Sequence, residues 1–238
     1  MMKTQANGKI FLADERGLNK TDWFRSLNMF NFGKYFNEHK VPFGDLYLLK
    51  DDMLGGRRSM SMTIEENSYV IILPVAGAVS FKSENADAAL VAAGQVLICT
   101  TGQNETIEIS NPFANDVVNF LQIWIKTSPG KNKMHTGALT FDDVNKKENQ
   151  FIKIFPGNVF AEDHGFSISI GKFSGRGDTI YKPKIKNSGS FLFVLNGAFE
   201  AEGRLLHERD GLALWDTNEI EMEALSNDAI ILLIEVAI

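Results

Sequence analysis

Apolar residues in this chain come in short runs cut by glycine, asparagine and proline, not in sustained helical spacing. The clearest run is "YVIILPVAGAVSFKS" (69–83). Val70 to Val75 is too short to cross a membrane and the right length for a buried strand, and the pattern splits near Ala76–Gly77 into two strands. "GQVLICTTG" (94–102), "ETIEIS" (105–110) and "VVNFLQIWIKTS" (117–128) follow with the same punctuation. Beyond residue 150 strands resume: "FSISIGKF", "GSFLFVLNGAFEAEG", "DGLALWD", "EIEMEAL" and "AIILLIEVAI". With no amphipathic helix between them, these runs predict antiparallel pairing into a barrel or sandwich.

The second half echoes the first. A strand enters a glycine turn ("PVAGAVSF", "VLNGAFEA"), and another glycine opens an apolar strand ("GQVLICT", "GLALWD"). The echo predicts two tandem β domains of similar fold, and Asn196–Gly197 predicts a hairpin. The polar stretch "SPGKNKMHTGALTFDDVNKKENQ" (128–150) reads as a linker with one helical turn at "FDDVNKK". The expected division is therefore 1–128 for an N-terminal arm plus a first barrel, 129–149 for the linker and 150–238 for a second barrel. The first 50 residues hold Phe11, Trp23, Phe24, Phe30, Phe32, Tyr35, Phe36, Phe43 and Tyr47, broken by Gly17, Gly33, Pro42 and Gly44. They read as an arm whose rings pack on a barrel, with one strand near Phe43 to Leu49.

Composition narrows the function. A net charge of −6 disfavours direct nucleic-acid binding and attachment to an anionic membrane. No apolar secretory signal is visible, and the single cysteine, Cys99, excludes an intrachain disulfide, so a reducing cytoplasm is the expected location. Cys99 sits in an apolar strand pattern and reads as a buried structural thiol.

The opening segment "ADERG" (13–17) with Trp23, Ser26, Phe30, Phe32 and Tyr35, then "FG" (43–44) and "DD" (51–52), resembles the start of the pirin-like bicupins. "LQIWI" (121–125) is similar to the closing strand of that family's first barrel, and "DGLALWD" (210–216) to its second. The resemblance runs through nearly the whole chain and implies an all-β bicupin of two tandem cupin barrels. It also implies one iron-like metal in the first barrel, held by H-x-H-x3-E on one strand and H-x-E on another. Some members open quercetin with dioxygen, and animal members are associated with transcription factors.

This chain departs from the ligand pattern. Counted back from Gly77, the first set falls on Thr63, Glu65 and Tyr69; anchored on Gly102 and Asn111, the second falls on Ile107 and Ile109. In "ETIEIS" the isoleucines alternate with Thr106, Glu108 and Ser110, so Ile107 and Ile109 should face the interior. His39, His135, His164 and His207 all lie elsewhere. Thr63, Glu65 and Tyr69 share one face by period and are expected to line a first-barrel pocket with the two isoleucines. Glu65 there would have a raised pKa unless a cation such as Arg57 or Arg58 compensates it. Glu66 and Glu108 have the wrong parity to complete a carboxylate cluster with Glu65 and Glu105.

Asp14, Glu15, Asp51 and Asp52 read as arm and turn residues, "GRGDT" (175–179) as a loop, and "KPKIK" (182–186) as a solvated edge strand. The functional expectation is a metal-free pirin-like protein with no cofactor. It would bind a small apolar or aromatic ligand in the first barrel, or a protein partner. The alternatives are a quercetin 2,3-dioxygenase-like enzyme using iron or a similar transition metal, and a metal-free enzyme using Glu65 as base beside Tyr69.

Overall fold

A computed structural model describes residues 5–128, 134–138, 144, 147–154 and 165–238. Among the described residues, strands account for nearly all regular structure, and no helix is long and apolar enough to cross a membrane. The chain forms two compact units. One gathers 17–128 with 134–138; the other gathers 5–16, 147–154 and 165–238.

In the first unit, β2 (Gly17–Lys20), β3 (Phe24–Asn28), β4 (Leu46–Leu54), β6 (Ser68–Ala76), β9 (Gln95–Thr101), β11 (Val118–Lys126) and β12 (Met134–Ala138) form a seven-stranded sheet. Its order is β12-β9-β6-β11-β4-β3-β2. Four more strands, β5 (Ser59–Thr63), β7 (Ala78–Ser83), β8 (Ala86–Ala92) and β10 (Thr106–Ser110), form a second sheet ordered β5-β10-β7-β8. Between them lies one buried cluster, including Val70, Ile72, Leu97, Cys99, Ile107, Ile109, Phe120 and Trp124.

The second unit repeats the plan. Its larger sheet holds β1 (Asn7–Phe11), β13 (Gln150–Lys153), β14 (Phe166–Phe173), β16 (Ser188–Asn196), β19 (Gly211–Trp215) and β21 (Ala229–Ala237), ordered β1-β19-β16-β21-β14-β13. The smaller, β15-β20-β17-β18, holds β15 (Asp178–Tyr181), β17 (Phe199–Ala201), β18 (Arg204–Leu206) and β20 (Ile220–Ala224). Strand by strand the orders superpose, β6 on β16, β11 on β21 and β4 on β14. The expected pair of similar β domains is thus present as two cupin barrels.

Several expectations are corrected by the pairing. Asn196–Gly197 is not a hairpin: β16 pairs with β19 and β21, while β17 pairs with β18 and β20. The glycine is a corner where the chain leaves one sheet for the other, as is Gly77 between β6 and β7. Gly197 adopts φ +78°, and a Cβ there would come within 2.3 Å of Ser226 Oγ, so no other residue fits without displacement. Near the N-terminus, β1 belongs to the second barrel and not the first. It covers the edge of β19, whose free N–H and C=O groups it pairs, and Ala13 N–H then donates to Asp210 Oδ1 at 2.7 Å.

The arm carries two further strands, β2 and β3, which extend the first barrel's larger sheet, and its expected strand near Phe43 starts at Leu46. Within the expected linker, β12 pairs with β9; the helical turn expected at 141–147 lies largely outside the described residues. "KPKIK" is a loop, not a strand, and its Lys184 and Ile185 N–H groups donate to the Glu235 carboxylate.

Candidate functional site

The interior wall of the first barrel is set by register. β5 pairs antiparallel with β10, placing Met62 opposite Ile107 and Met60 opposite Ile109, with Thr63 opposite Thr106. Directly opposed residues share a face. Ile107 and Ile109 are buried, as expected, and they bring Met60, Met62 and the fully buried Ile64 inward with them. Thr63 and Glu65 are exposed and do not line the interior. The alternating "SMSMTI" (59–64) carries this parity in plain sight; counting from the family motif runs one residue out of phase with it.

Tyr69 is buried, but on the face of β6 opposite Val70 and Ile72. The five expected pocket residues are therefore not one site. Glu65 lies on the exposed turn after β5, while Tyr69 is buried on β6.

One residue along, the inward positions Met62, Ile64 and Ser68 stand where H-x-H-x3-E would place its ligands, facing Ile107 and Ile109. Two isoleucines and a third aliphatic chain offer no lone pair. The Ser68 hydroxyl is taken up by Tyr47 OH at 2.5 Å and the Glu66 carbonyl at 2.6 Å. The Met62 thioether alone is a soft, weak donor. This set does not fit the iron-like divalent metal of the family. Among the described residues, no three His, Cys, Asp or Glu side chains group to hold an ion. His39 and His207 are exposed; the side chains of His135 and His164 lie outside the described residues. Cys99 is fully buried, its thiol pushed up to about 11 by burial, against a hydrogen bond from Ser83. It is the structural thiol its sequence context predicts.

The chemistry of this barrel sits on the opposite wall, in residues the motif count passes over. β4 carries "LYLLKDDML", and alternation sends Lys50 and Asp52 inward with Leu48 and Leu54. Asp51 and Asp52 are thus mid-strand residues, not turn residues, and Asp52 is fully buried. Gln122, paired with Lys50 across β11, donates its Nε2 to Asp52 Oδ2 at 2.6 Å and lies 3.6 Å from Met62 Sδ. Asp52 Oδ1 and Gln122 Oε1 have no partner among the described residues. Burial raises the Asp52 carboxyl above its ordinary value, opposed first by Lys50 and then by the neighbouring Ser26 and Gln122 side chains. Lys50 is 4% exposed. Burial lowers its ammonium to about 8, with Asp52 opposing. The ammonium meets Met62 Sδ at 3.9 Å and lies 3.6 Å from the centre of the Phe32 ring.

An aromatic strap closes over this wall. Phe32 and Tyr35 pair backbone to backbone around Gly33, at φ +59°. Phe32 stands edge-on to Trp124 at 6.2 Å, and Tyr47 does so at 6.0 Å. The Tyr35 ring rests on the bare backbone of Gly17, where any Cβ would come within 2.3 Å of it. Beneath the strap is an open cleft of about 610 Å³, bounded by Ser26, Asn28, Phe32, Lys34, Tyr35 and Lys50 among others.

Comparison with known proteins gives this architecture its relatives. Residues 165–236 match the quercetinase C-terminal cupin domain. A putative quercetin 2,3-dioxygenase of Zymomonas mobilis is 23% identical over 218 residues, covering 89% of this chain and 91% of its own. A quercetin 2,3-dioxygenase of Escherichia coli K12 is 21% identical, covering 92% and 95%. Among solved structures, YhhW of Escherichia coli superposes with a TM-score of 0.83 at 17% identity, over 97% of both chains. The nickel(II) complex of that bacterial pirin gives the same score at 18% identity. With its two barrels in matching strand order and its second barrel matched directly, the chain has the bicupin fold of these proteins and is similar to the pirin-like family.

Proposed function

We propose that this protein is a metal-independent pirin-like bicupin whose first barrel binds a small molecule in the cleft over Lys50. The observation that carries the reading is the inward set Met62, Ile64, Ile107 and Ile109, which lines the family's metal wall with groups that cannot hold a divalent ion. The cleft supports the binding half of the reading. Its volume falls within the ordinary range for ligand sites, and its wall combines aromatic rings with a few polar groups.

The relatives named as quercetin dioxygenases favour a second reading, a metal-dependent oxygenase in which donors outside the described residues complete the site. Elemental analysis of the purified full chain separates the two. The expected result is no stoichiometric iron, nickel, manganese or zinc, and no oxygen uptake with quercetin. Near one equivalent of a chelator-removable metal, with quercetin-dependent oxygen uptake that follows it, would establish the oxygenase instead.

A further inference from the structure

We infer that the cleft over Lys50 recognises a small planar carboxylate of the aromatic-acid class. The inference deepens the binding reading above and rests on it, but does not depend on the absence of metal. The first support is the state of Lys50. An ammonium has three donors, and a buried one needs acceptors. Here the contacts are one thioether sulfur and one ring face, both weak. No carboxylate oxygen lies within 4.0 Å of it among the described residues. Asp52 stands behind it on the same face of β4, its Oδ2 held by Gln122.

The second support is the charge of the wall. The chain carries a net charge of −6, yet the cleft is bounded by Lys34 and Lys50 and, among the described residues, by no Asp or Glu. A local cationic wall on an acidic protein selects an anion. The third is shape. Phe32 and Tyr35 are held as a strap by their mutual backbone bonds and by the bare backbone of Gly17. These rings bound a space that suits a flat conjugated ligand, while its carboxylate reaches Lys50. Ser26 and Asn28 beside it already donate to Asn28 Oδ1 and the Gly17 carbonyl respectively, which leaves Lys50 as the donor for the ligand. A single carboxylate suits the site better than a polyanion, because the Asp52 carboxyl lies behind the lysine.

The test uses the full chain and two probes of the same shape, benzoate and uncharged benzamide, with binding measured by calorimetry. Benzoate should bind at least tenfold more tightly than benzamide. Lys50→Met should abolish that preference, and Lys34→Met should reduce it less. Should Lys50→Met fail to fold, amide chemical shifts of the wild-type protein decide. Benzoate should move resonances of 32–35, of β4 and of Met62 beside Lys50, and leave the second barrel nearly still. Equal affinity for the two probes, no benzoate binding, a preference surviving Lys50→Met, or shifts mapping elsewhere would each overturn the inference. Bound benzoate alongside stoichiometric metal would sink the metal-independent reading alone; neither metal nor benzoate would sink this one alone.

Discussion

The two barrels share a strand order and differ in how each treats buried polarity. Register makes the comparison residue by residue. Leu54 pairs with Val118 in the first barrel as Phe173 pairs with Ala229 in the second. Counting on, Lys50 corresponds to Ser169, Gln122 to Leu233 and Trp124 to Glu235. The first barrel places its charge in mid-strand and an indole toward the end. The second has Ser169, Gly171 and Leu233 where the first has Lys50, Asp52 and Gln122, and carries its charge toward the end.

Their polar accounting differs more. Glu235 is fully buried, and its carboxylate accepts from Tyr181 OH and from the N–H groups of Lys184 and Ile185. The "KPKIK" loop exists in its observed form because its amides cap that carboxylate. Lys50 has no comparable set of partners, and both Asp52 and Gln122 keep an oxygen unpartnered among the described residues. A satisfied buried charge specifies structure; one left short of partners over an open cleft is what a ligand completes.

Removing the satisfied charge should cost most. Glu235→Ala strands the Lys184 and Ile185 amides and the Tyr181 hydroxyl, and should destabilise the fold by roughly 3 kcal/mol or more. Urea unfolding measures it, and hydrogen exchange should show faster exchange at Lys184 and Ile185. A loss under about 1 kcal/mol, within the range of an ordinary neutral hydrogen bond, would show the cap to be dispensable.

Lys50 should reveal itself through pH. Its folded pKa, about 8, lies below the ordinary 10.5 of the unfolded chain. Below pH 8 both states carry the proton and the full desolvation cost is present. Between about 8 and 10.5 the folded state binds fewer protons, so this group's contribution to stability rises with pH, by at most about 3 kcal/mol. Cys99 acts oppositely, because a thiol raised to about 11 makes stability fall once the unfolded chain ionises near 9. Asp52 on β4, Lys34 in the strap and Gln122 on β11 also bear on Lys50 and stay in place. The stability of wild type relative to Lys50→Met should therefore rise from pH 8 toward 10. A flat difference would place the ammonium in contact with water.

Gly17→Ala should have an intermediate effect. The new methyl drives into the Tyr35 ring, which must swing away. A cost of about 1–2 kcal/mol is expected from the clash, the scale of overpacking elsewhere. Tyr35 should also lose its aromatic ring-current shifts, and benzoate affinity should fall. Unchanged affinity would remove the strap from the binding site.

The sequence makes the fold legible and the site much less so. Strand periodicity and the repeated glycines announce two barrels because both signals are local. Gly77 and Gly197 look like hairpin turns because a corner between sheets demands the same positive φ as a tight turn. Strand β1 is hidden because its partner, β19, lies some two hundred residues away in sequence. The polar wall is hidden for another reason. "KDD" in an apolar run looks like a strand end, and only pairing with β11 on one side and β3 on the other shows that it is the middle. The alternation of Met60, Met62 and Ile64 is the local signal that places Glu65 outside.

That placement gives the smallest effect and a clean control. With Glu65 facing the interior, Glu65→Gln would stabilise the fold by removing a buried charge. The structure puts it on the exposed turn between β5 and β6, after Ile64, whose N–H donates to the Glu105 carbonyl and so fixes the turn through its backbone. A substitution that keeps shape on an exposed turn changes little, so Glu65→Gln should alter stability by less than about 0.5 kcal/mol. Benzoate affinity should be equally unmoved, because Glu65 is not among the residues bounding the cleft. Thermal unfolding and calorimetry of the variant check both. A clear gain in stability would mean that the carboxylate is desolvated after all, and that β5 runs in the opposite parity, with Thr63 inside and the methionines out. In that event the metal wall, and with it the proposed function, would have to be rebuilt from Thr63, Glu65 and Tyr69.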